Sequence, residues 1–402
     1  MNIYEKELLT KLSIVPVGSG AKVACSICTT WYMDSEGNLY GCGDNTCGQQ
    51  GSGNTTNVMT FTKRAGNVKD IACSEYTTWY LTESGDLYGC GYGWAGEQGN
   101  NSTADVTTFI KRASNVKKVQ CAASVTWYLT ESGDLYGCGY NFSGQQGSGN
   151  TTDVKVFTKR ASNVRDFATS GDTTWYLTKS GDLYGTGINS YGQQGANNTK
   201  NVLTFTKRAS NVRDVVCSCY STWYIDNNNN LYGCGYNNAG QQGSGNTTNV
   251  LTFTKRASNV SSAICSNFST WYITSSGDLY GCGDGSFGKQ GSGGTSNVTS
   301  FTKRASDIVA VSSDYGTTWY LTKSNDLYGC GDSQFGQQGY GGTSNVTSFT
   351  KRASSILTYC NSYDTTWYIA SNNLYGCGYN YSGQQGSGNT TDVTIFTRRD
   401  MP

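Results

Sequence analysis

The sequence predicts an all-β chain folded as a single β-propeller of eight four-stranded blades, one per 48-residue repeat, with seven blades as the alternative. Three observations predict it. Trp31, Trp79, Trp127, Trp175, Trp223, Trp271, Trp319 and Trp367 are each followed by Tyr and recur every 48 residues, while Trp94 lies outside that register. Of 402 residues, 52 are Gly and only 2 are Pro, and Gly and Asn are spread evenly rather than gathered in linkers, which suits short strands joined by many turns. Each repeat also contains four strand-like runs and no run of helical period.

In the unit spanning 67–114 the runs are Val68–Cys73, Thr78–Thr82, Asp86–Tyr92 and a fourth around Thr107–Lys111. Glu83-Ser84-Gly85-Asp86 predicts a tight hairpin between the second and third strands, with Gly85 supplying a positive φ. The equivalent residue is Gly37, Gly133, Gly181 and Gly277, but Asn229 and Asn325 in two units; Gly and Asn enter the left-handed region most readily. Only the last unit has lost a residue, near Ser371. The first three runs are apolar or aromatic on both faces, as expected for a blade sandwiched between two others. Residues 19–402 are therefore expected to form the propeller. Residues 1–18 are expected as a cap, or as an anchor to a larger assembly. Within them Leu8, Leu9 and Leu12 would line one face of a short helix, and Leu12–Val17 falls in the register of an extra fourth strand.

The segment Gly-Cys-Gly-Tyr-Asn-x-x-Gly-Gln-Gln-Gly, at 137–147, 233–243 and 376–386, resembles the signature of the regulator of chromosome condensation repeat. So does the order Val-x-x-Val-Ala-Cys, Thr-Trp-Tyr-Leu-Thr, Gly-Asp-Leu-Tyr around it. The resemblance covers residues 19–400 and recurs eight times. It implies a propeller, usually of seven blades, and guanine-nucleotide exchange on a small GTPase as one family activity. The chain departs from the family pattern in two places. Gln replaces Leu in the usual Gly-Gln-Leu-Gly, and Trp occupies the region of a usual His. No unit carries the insertion that an exchange wedge would need.

Composition narrows the function classes. Lys plus Arg (29) nearly cancels Asp plus Glu (28), which removes the electrostatic case for nucleic acid. No stretch is long enough to insert in a membrane as a helix, and the first residues do not read as a secretory signal, so a cytoplasmic or virion setting is expected. With no His at all, a Ser-His-Asp or Cys-His site cannot be built. Asp44, Asp284 and Asp332 share one repeat position in a turn-rich loop, where Asp caps its own backbone. No catalytic residue, metal site or cofactor is expected. Of the sixteen cysteines, Cys42, Cys90, Cys138, Cys234, Cys282, Cys330 and Cys377 follow the Tyr-Gly of the third strand, and Cys25, Cys73, Cys121, Cys217 and Cys265 end the first. They read as small buried thiols kept reduced. Cys25-x-x-Cys28 and Cys217-x-Cys219 are at most half of a zinc site, with no second pair at the right spacing. Lys-Arg pairs recur from Lys63-Arg64 to Lys351-Arg352, with Arg398-Arg399 last; if the fourth strand is outermost they guard its edge.

The exceptions to the repeat point to function. Two windows differ in every unit, one after the first strand and one after the third, and in an up-and-down blade both emerge on one side. The turn after the second strand, on the other side, hardly varies. The variable windows are rich in Tyr, Phe, Trp, Asn and Ser, the mixture of adaptable recognition surfaces. The ligand-binding face is expected at Tyr76, Trp94, Phe142, Tyr191, Tyr220, Phe268, Phe287, Phe335, Tyr363 and Tyr381. The expected function is non-catalytic recognition of a protein or a surface glycan. The chain would then be similar to bacterial β-lactamase-inhibitory propellers that use this repeat, or to propellers of phage tails and cell surfaces. The alternatives are an exchange-factor-like regulator and a structural component of a larger particle, attached through residues 1–18.

Overall fold

The Trp-Tyr dipeptide of every repeat lies in the second strand of a four-stranded antiparallel sheet whose strands follow one another in chain order. A computed structural model describes residues 20–401 and contains eight such sheets, so the ring has eight blades. The segment at 1–18, with its expected cap, anchor or extra strand, lies outside the described residues. In the second blade the strands are Val68–Cys73, Thr77–Thr82, Leu87–Gly91 and Val106–Ala113. The third is shorter than the sequence reading. The fourth is longer, because its ladder to the third strand runs on through Lys111 to Ala113. The first strands gather around the axis and the fourth form the rim. The one helical turn among the described residues is a 3-10 turn at Ser286–Gly288.

Why the repeat reads Tyr-Gly-Cys becomes plain in the seams between blades. Trp79 faces Gly89 across the second and third strands, and a Cβ on Gly89 would stand 2.3 Å from the indole. Glycine there lets the ring lie against the neighbouring backbone. The same indole meets Phe157 of the next blade edge-on at 5.7 Å, while Tyr80 stacks on Tyr88 at 4.9 Å and meets Phe109. All eight register tryptophans are completely buried in this way. The last blade packs on the first by the same rule, with Phe61 edge-on to Trp367 at 5.7 Å.

The hairpins carry the expected positive φ: +82° at Gly85, 61° at Asn229 and 62° at Asn325. In the last blade the lost residue leaves a two-residue turn between Ala370 and Asn373, and both Ser371 and Asn372 take positive φ, as such a turn requires. On the rim, Lys111, Lys159, Lys207, Lys303 and Lys351 each pair with the hairpin Asp of their own blade, at 2.8–2.9 Å. The adjoining arginines are half-buried, and loss of hydration lowers their pKa. Five of the rim lysines are thus paired within their own blades.

Candidate functional site

The two variable windows do share a face. The residue after the third strand bonds back to the loop after the first: Asp44 N to Cys28 O at 2.9 Å, Tyr92 N to Tyr76 O at 2.9 Å. Beneath them lies a fixed scaffold. Asn45 is fully buried; its Nδ2 donates to Ser52 Oγ, Asn54 O and Thr56 O, and its Oδ1 accepts from Gln50 N. Asn141, Asn237 and Asn380 repeat this arrangement. The first residue of the window is therefore structural rather than part of a recognition surface.

The two glutamines of Gly-Gln-Gln-Gly divide the remaining work. Gln50, where the family pattern has Leu, is fully buried and donates to Cys42 O at 2.8 Å. Gln49 accepts from Cys47 N and donates across the seam to Glu75 O in the next blade. Gln145, Gln193, Gln241 and Gln384 make the same bridge. In the seventh blade Gln337 accepts from Phe335 N, but its buried Nε2 has no hydrogen-bond partner. Two further blades depart from the motif itself, departures that escaped the sequence reading although Gly-Glu-Gln-Gly and Gly-Lys-Gln-Gly are legible at 96–99 and 288–291. Lys289 keeps the bridge, donating to Tyr315 O at 2.6 Å and pairing with Asp284 at 2.6 Å. Glu97 accepts from Ala95 N through one oxygen, and its Oε1 is buried with no hydrogen-bond partner. Burial pushes the Glu97 carboxyl up to about 7.

The ten expected site residues separate into two groups. Trp94, Phe142 and Tyr381, in the middle of their windows, project into solvent at 61%, 70% and 73% exposure. The other seven are half-buried and pack on one another or on neighbouring tyrosines. Tyr191 lies against Tyr236 at 4.6 Å and Tyr220 at 5.6 Å, and Tyr220 against Phe268 at 5.7 Å. Tyr363 stacks on Tyr315 at 4.9 Å, which Phe287 also approaches. Phe335 meets Tyr379 at 4.8 Å, and Tyr76 meets Tyr92 at 5.8 Å. Of the ten residues expected on the ligand-binding face, three are therefore strongly exposed and seven half-buried. Among the six in the window after the third strand the difference is one residue of register: Tyr191, Phe287 and Phe335 stand third and pack on neighbouring rings, whereas Trp94, Phe142 and Tyr381 stand second and turn away. Tyr140 and Tyr379, missed because they fall in the repeated Gly-Cys-Gly-Tyr, flank Phe142 and Tyr381 as near-parallel rings at 6.3 Å.

Strain collects here too. Apart from Gly, Asn, Asp and Ser, the residues with positive φ are Ala123 (47°), Phe287 (60°) and Tyr363 (42°), and all three lie in variable windows. A bulky residue in that region costs on the order of 1–3 kcal/mol and is held only by its surroundings. The loops of this face are also rich in carboxyl groups, of which those of Asp44, Glu97, Asp314, Asp332 and Asp364 are buried. Glu75, Asp172, Asp314 and Asp364 come from loops after first strands. Asp44, Glu97, Asp105, Asp153, Asp284, Asp332 and Asp392 come from loops after third strands, against Lys155, Lys200 and Lys289. The near-neutral chain is therefore charge-separated, with most bases towards the hairpin side and the rim. Asp44, Asp284 and Asp332 cap the backbone of their own loops, as expected of that position. Burial raises the pKa of Asp172 and of Asp314, the latter opposed by hydrogen bonds from Thr317 and Asn361. Among the described residues no group of three or more His, Cys, Asp or Glu could hold a metal ion.

Eight four-stranded antiparallel blades make the chain an eight-bladed β-propeller, the fold that it shares with RCC1-type propellers. Solved structures with this fold include human WBSCR16, at 16% identity and a TM-score of 0.62, over 91% of this chain and 94% of that one. A structure of Kap60 bound to yeast RCC1 (Prp20) matches at 16% identity and a TM-score of 0.64, over 89% of each chain. Prp20p from Saccharomyces cerevisiae matches at 17% identity and a TM-score of 0.59, over 77% of this chain and 92% of that one. At such identities the likeness shows the fold. No family model and no curated protein matches the chain.

Proposed function

We propose that this propeller is a non-catalytic binding module whose variable face takes a protein partner through a Lys- or Arg-rich segment. The observation that carries the reading is the confinement of repeat-to-repeat variation to one face, where exposed aromatic rings stand among carboxylates. Exposed Trp, Phe and Tyr rings accept cations on their faces, and nearby carboxylates strengthen that attraction while steering the approach. The similar yeast propeller is bound to Kap60 in one structure and characterised with Gsp1p and histones in another; these are protein partners, which supports a protein over a glycan here. A phage-tail, cell-surface or particle-bound setting would use the same face. An exchange-factor role finds no insertion among the repeats to act as a wedge.

The test is titration with a Lys/Arg-rich peptide, a neutral peptide and a glycan panel. The cationic peptide should bind, weaken as salt rises, and lose affinity by about 2 kcal/mol or more in the Trp94→Ala, Phe142→Ala double variant. Glycan binding indifferent to salt would overturn the reading. So would binding that survives the double variant yet is abolished by Lys111→Glu with Lys159→Glu, since the rim would then be the working surface.

A further inference from the structure

Seven of the eight seams are crossed by backbone, because the chain passes from the fourth strand of one blade into the first strand of the next. Among the described residues the seam between the last blade and the first is not, and no strand from either end enters the other end's sheet. That junction is held without a chain crossing, by side chains and by the backbone hydrogen bond from Gly388 N to Met59 O at 2.9 Å that has its counterpart in other seams. Two positions near the end of each first strand meet across six of the seams. At four of them the pair is Ala24 with Cys73, Ala72 with Cys121, Ala168 with Cys217 and Val216 with Cys265. At another, Ser312 meets Asn361 at 2.5 Å. At the junction of the chain's two ends the pair is Cys360 with Cys25, and the two sulfurs stand 2.8 Å apart. The first-strand cysteines do not face one another within a blade, but across this one seam two of them do.

We propose that Cys25 and Cys360 are the site of a disulfide that locks the ring at the seam where, among the described residues, no chain connection joins the two blades. With glutathione disulfide as the oxidant, both S–H bonds break and the Sγ–Sγ bond forms. The two protons and two electrons pass to glutathione, which leaves as two thiols. Both cysteines are buried in the closed ring, and burial holds the Cys25 thiol well above its usual range, so exchange proceeds through openings of this seam. The inference does not depend on what the variable face binds.

The experiment uses the whole chain, incubated with glutathione disulfide and then alkylated. Mapping should find a linked peptide pair containing Cys25 and Cys360, and a mass lower by two hydrogens. Because 335 residues separate the two cysteines, the denatured, unreduced chain should run faster on a gel. Closing so long a loop should raise the melting temperature by about 5 °C or more, reversed by reductant. Cys360→Ala installs the residue that Ala24, Ala72 and Ala168 place there in other blades, and should abolish both shifts. Two outcomes would overturn the proposal: both thiols remaining alkylatable after oxidation, or Cys360→Ala showing the same mobility and melting shifts. If that variant does not fold, the peptide map of the unaltered chain decides alone.

Discussion

Trp79 and Trp94 stand in the same blade and play opposite parts. Trp79 lies across a glycine, is closed off by a phenylalanine of the next blade, and has no exposed surface. Trp94 caps a loop and shows 61% of its surface to solvent. The seam repeats its residue eight times because each indole must fill the same slot between two sheets. The face is free to vary because no packing requirement reaches the middle of its window. If the face binds as proposed, seam and face separate stability from binding, and substitutions on either side should read out one property without the other.

The largest expected effect falls on the seam. Trp79→Ala empties a closed slot and should cost about 3–5 kcal/mol in denaturant unfolding. Trp94→Ala should change stability by no more than about 0.5 kcal/mol while weakening the cationic peptide. Comparable destabilisation by both would break the comparison, since it would mean that the loop is part of the core.

Glu97 sits where seam and face meet, and its effect is smaller and depends on pH. Burial raises the folded-state pKa from 4.5 to about 7, opposed by the N–H groups of Glu97 and Ala95 and by Ser124, and reinforced by Asp153. The native state thus holds a proton that the unfolded chain has released. Its contribution is complete below the unfolded pKa and is lost as pH rises through the folded one. Stability should fall by up to about 3 kcal/mol between pH 4.5 and pH 8. Glu97→Gln restores the side chain that bridges other seams and should flatten that slope. A slope unchanged in Glu97→Gln would assign it to other groups.

How far the sequence could be read follows the same division. The blade, its four strands and the hairpin Gly or Asn were legible because they rest on local patterns repeated in register. The aromatic composition of the face was legible too, as a departure from the repeat. What the ten site residues did not disclose is direction: a loop side chain turns by one residue of register, and only the packed blade shows that Phe142 leaves it while Tyr191 joins it. The Cys25–Cys360 pair was hidden for another reason. Its partners meet only because the ring closes, and although Cys360 stands alone among the repeats at a position held elsewhere by Ala, Val, Ile, Gln or Ser, the repeat pattern does not show which residue faces it.

The finest comparison is between Phe142 and Tyr191, neighbours around the ring. Phe142 is 70% exposed with only Tyr140 beside it, whereas Tyr191 packs against both Tyr220 and Tyr236. Removing the half-buried ring forfeits apolar burial and two ring contacts, so Tyr191→Ala should cost about 1–2 kcal/mol of stability. Phe142→Ala should cost almost none and lose affinity instead. The register can also be moved deliberately. Ser190→Phe with Tyr191→Ser writes the Phe142-Ser143 order into the fourth blade and places a ring beside Ser190's exposed position. If register alone decides exposure, this variant should bind the cationic peptide more tightly than the unaltered chain, by about 1 kcal/mol, while losing the stability that Tyr191 supplied. Unchanged affinity with the new ring accessible to solvent quenching would show that an exposed aromatic is not sufficient, and that the neighbouring Asp153, absent from the fourth blade where Asn201 stands, is needed to complete the contact.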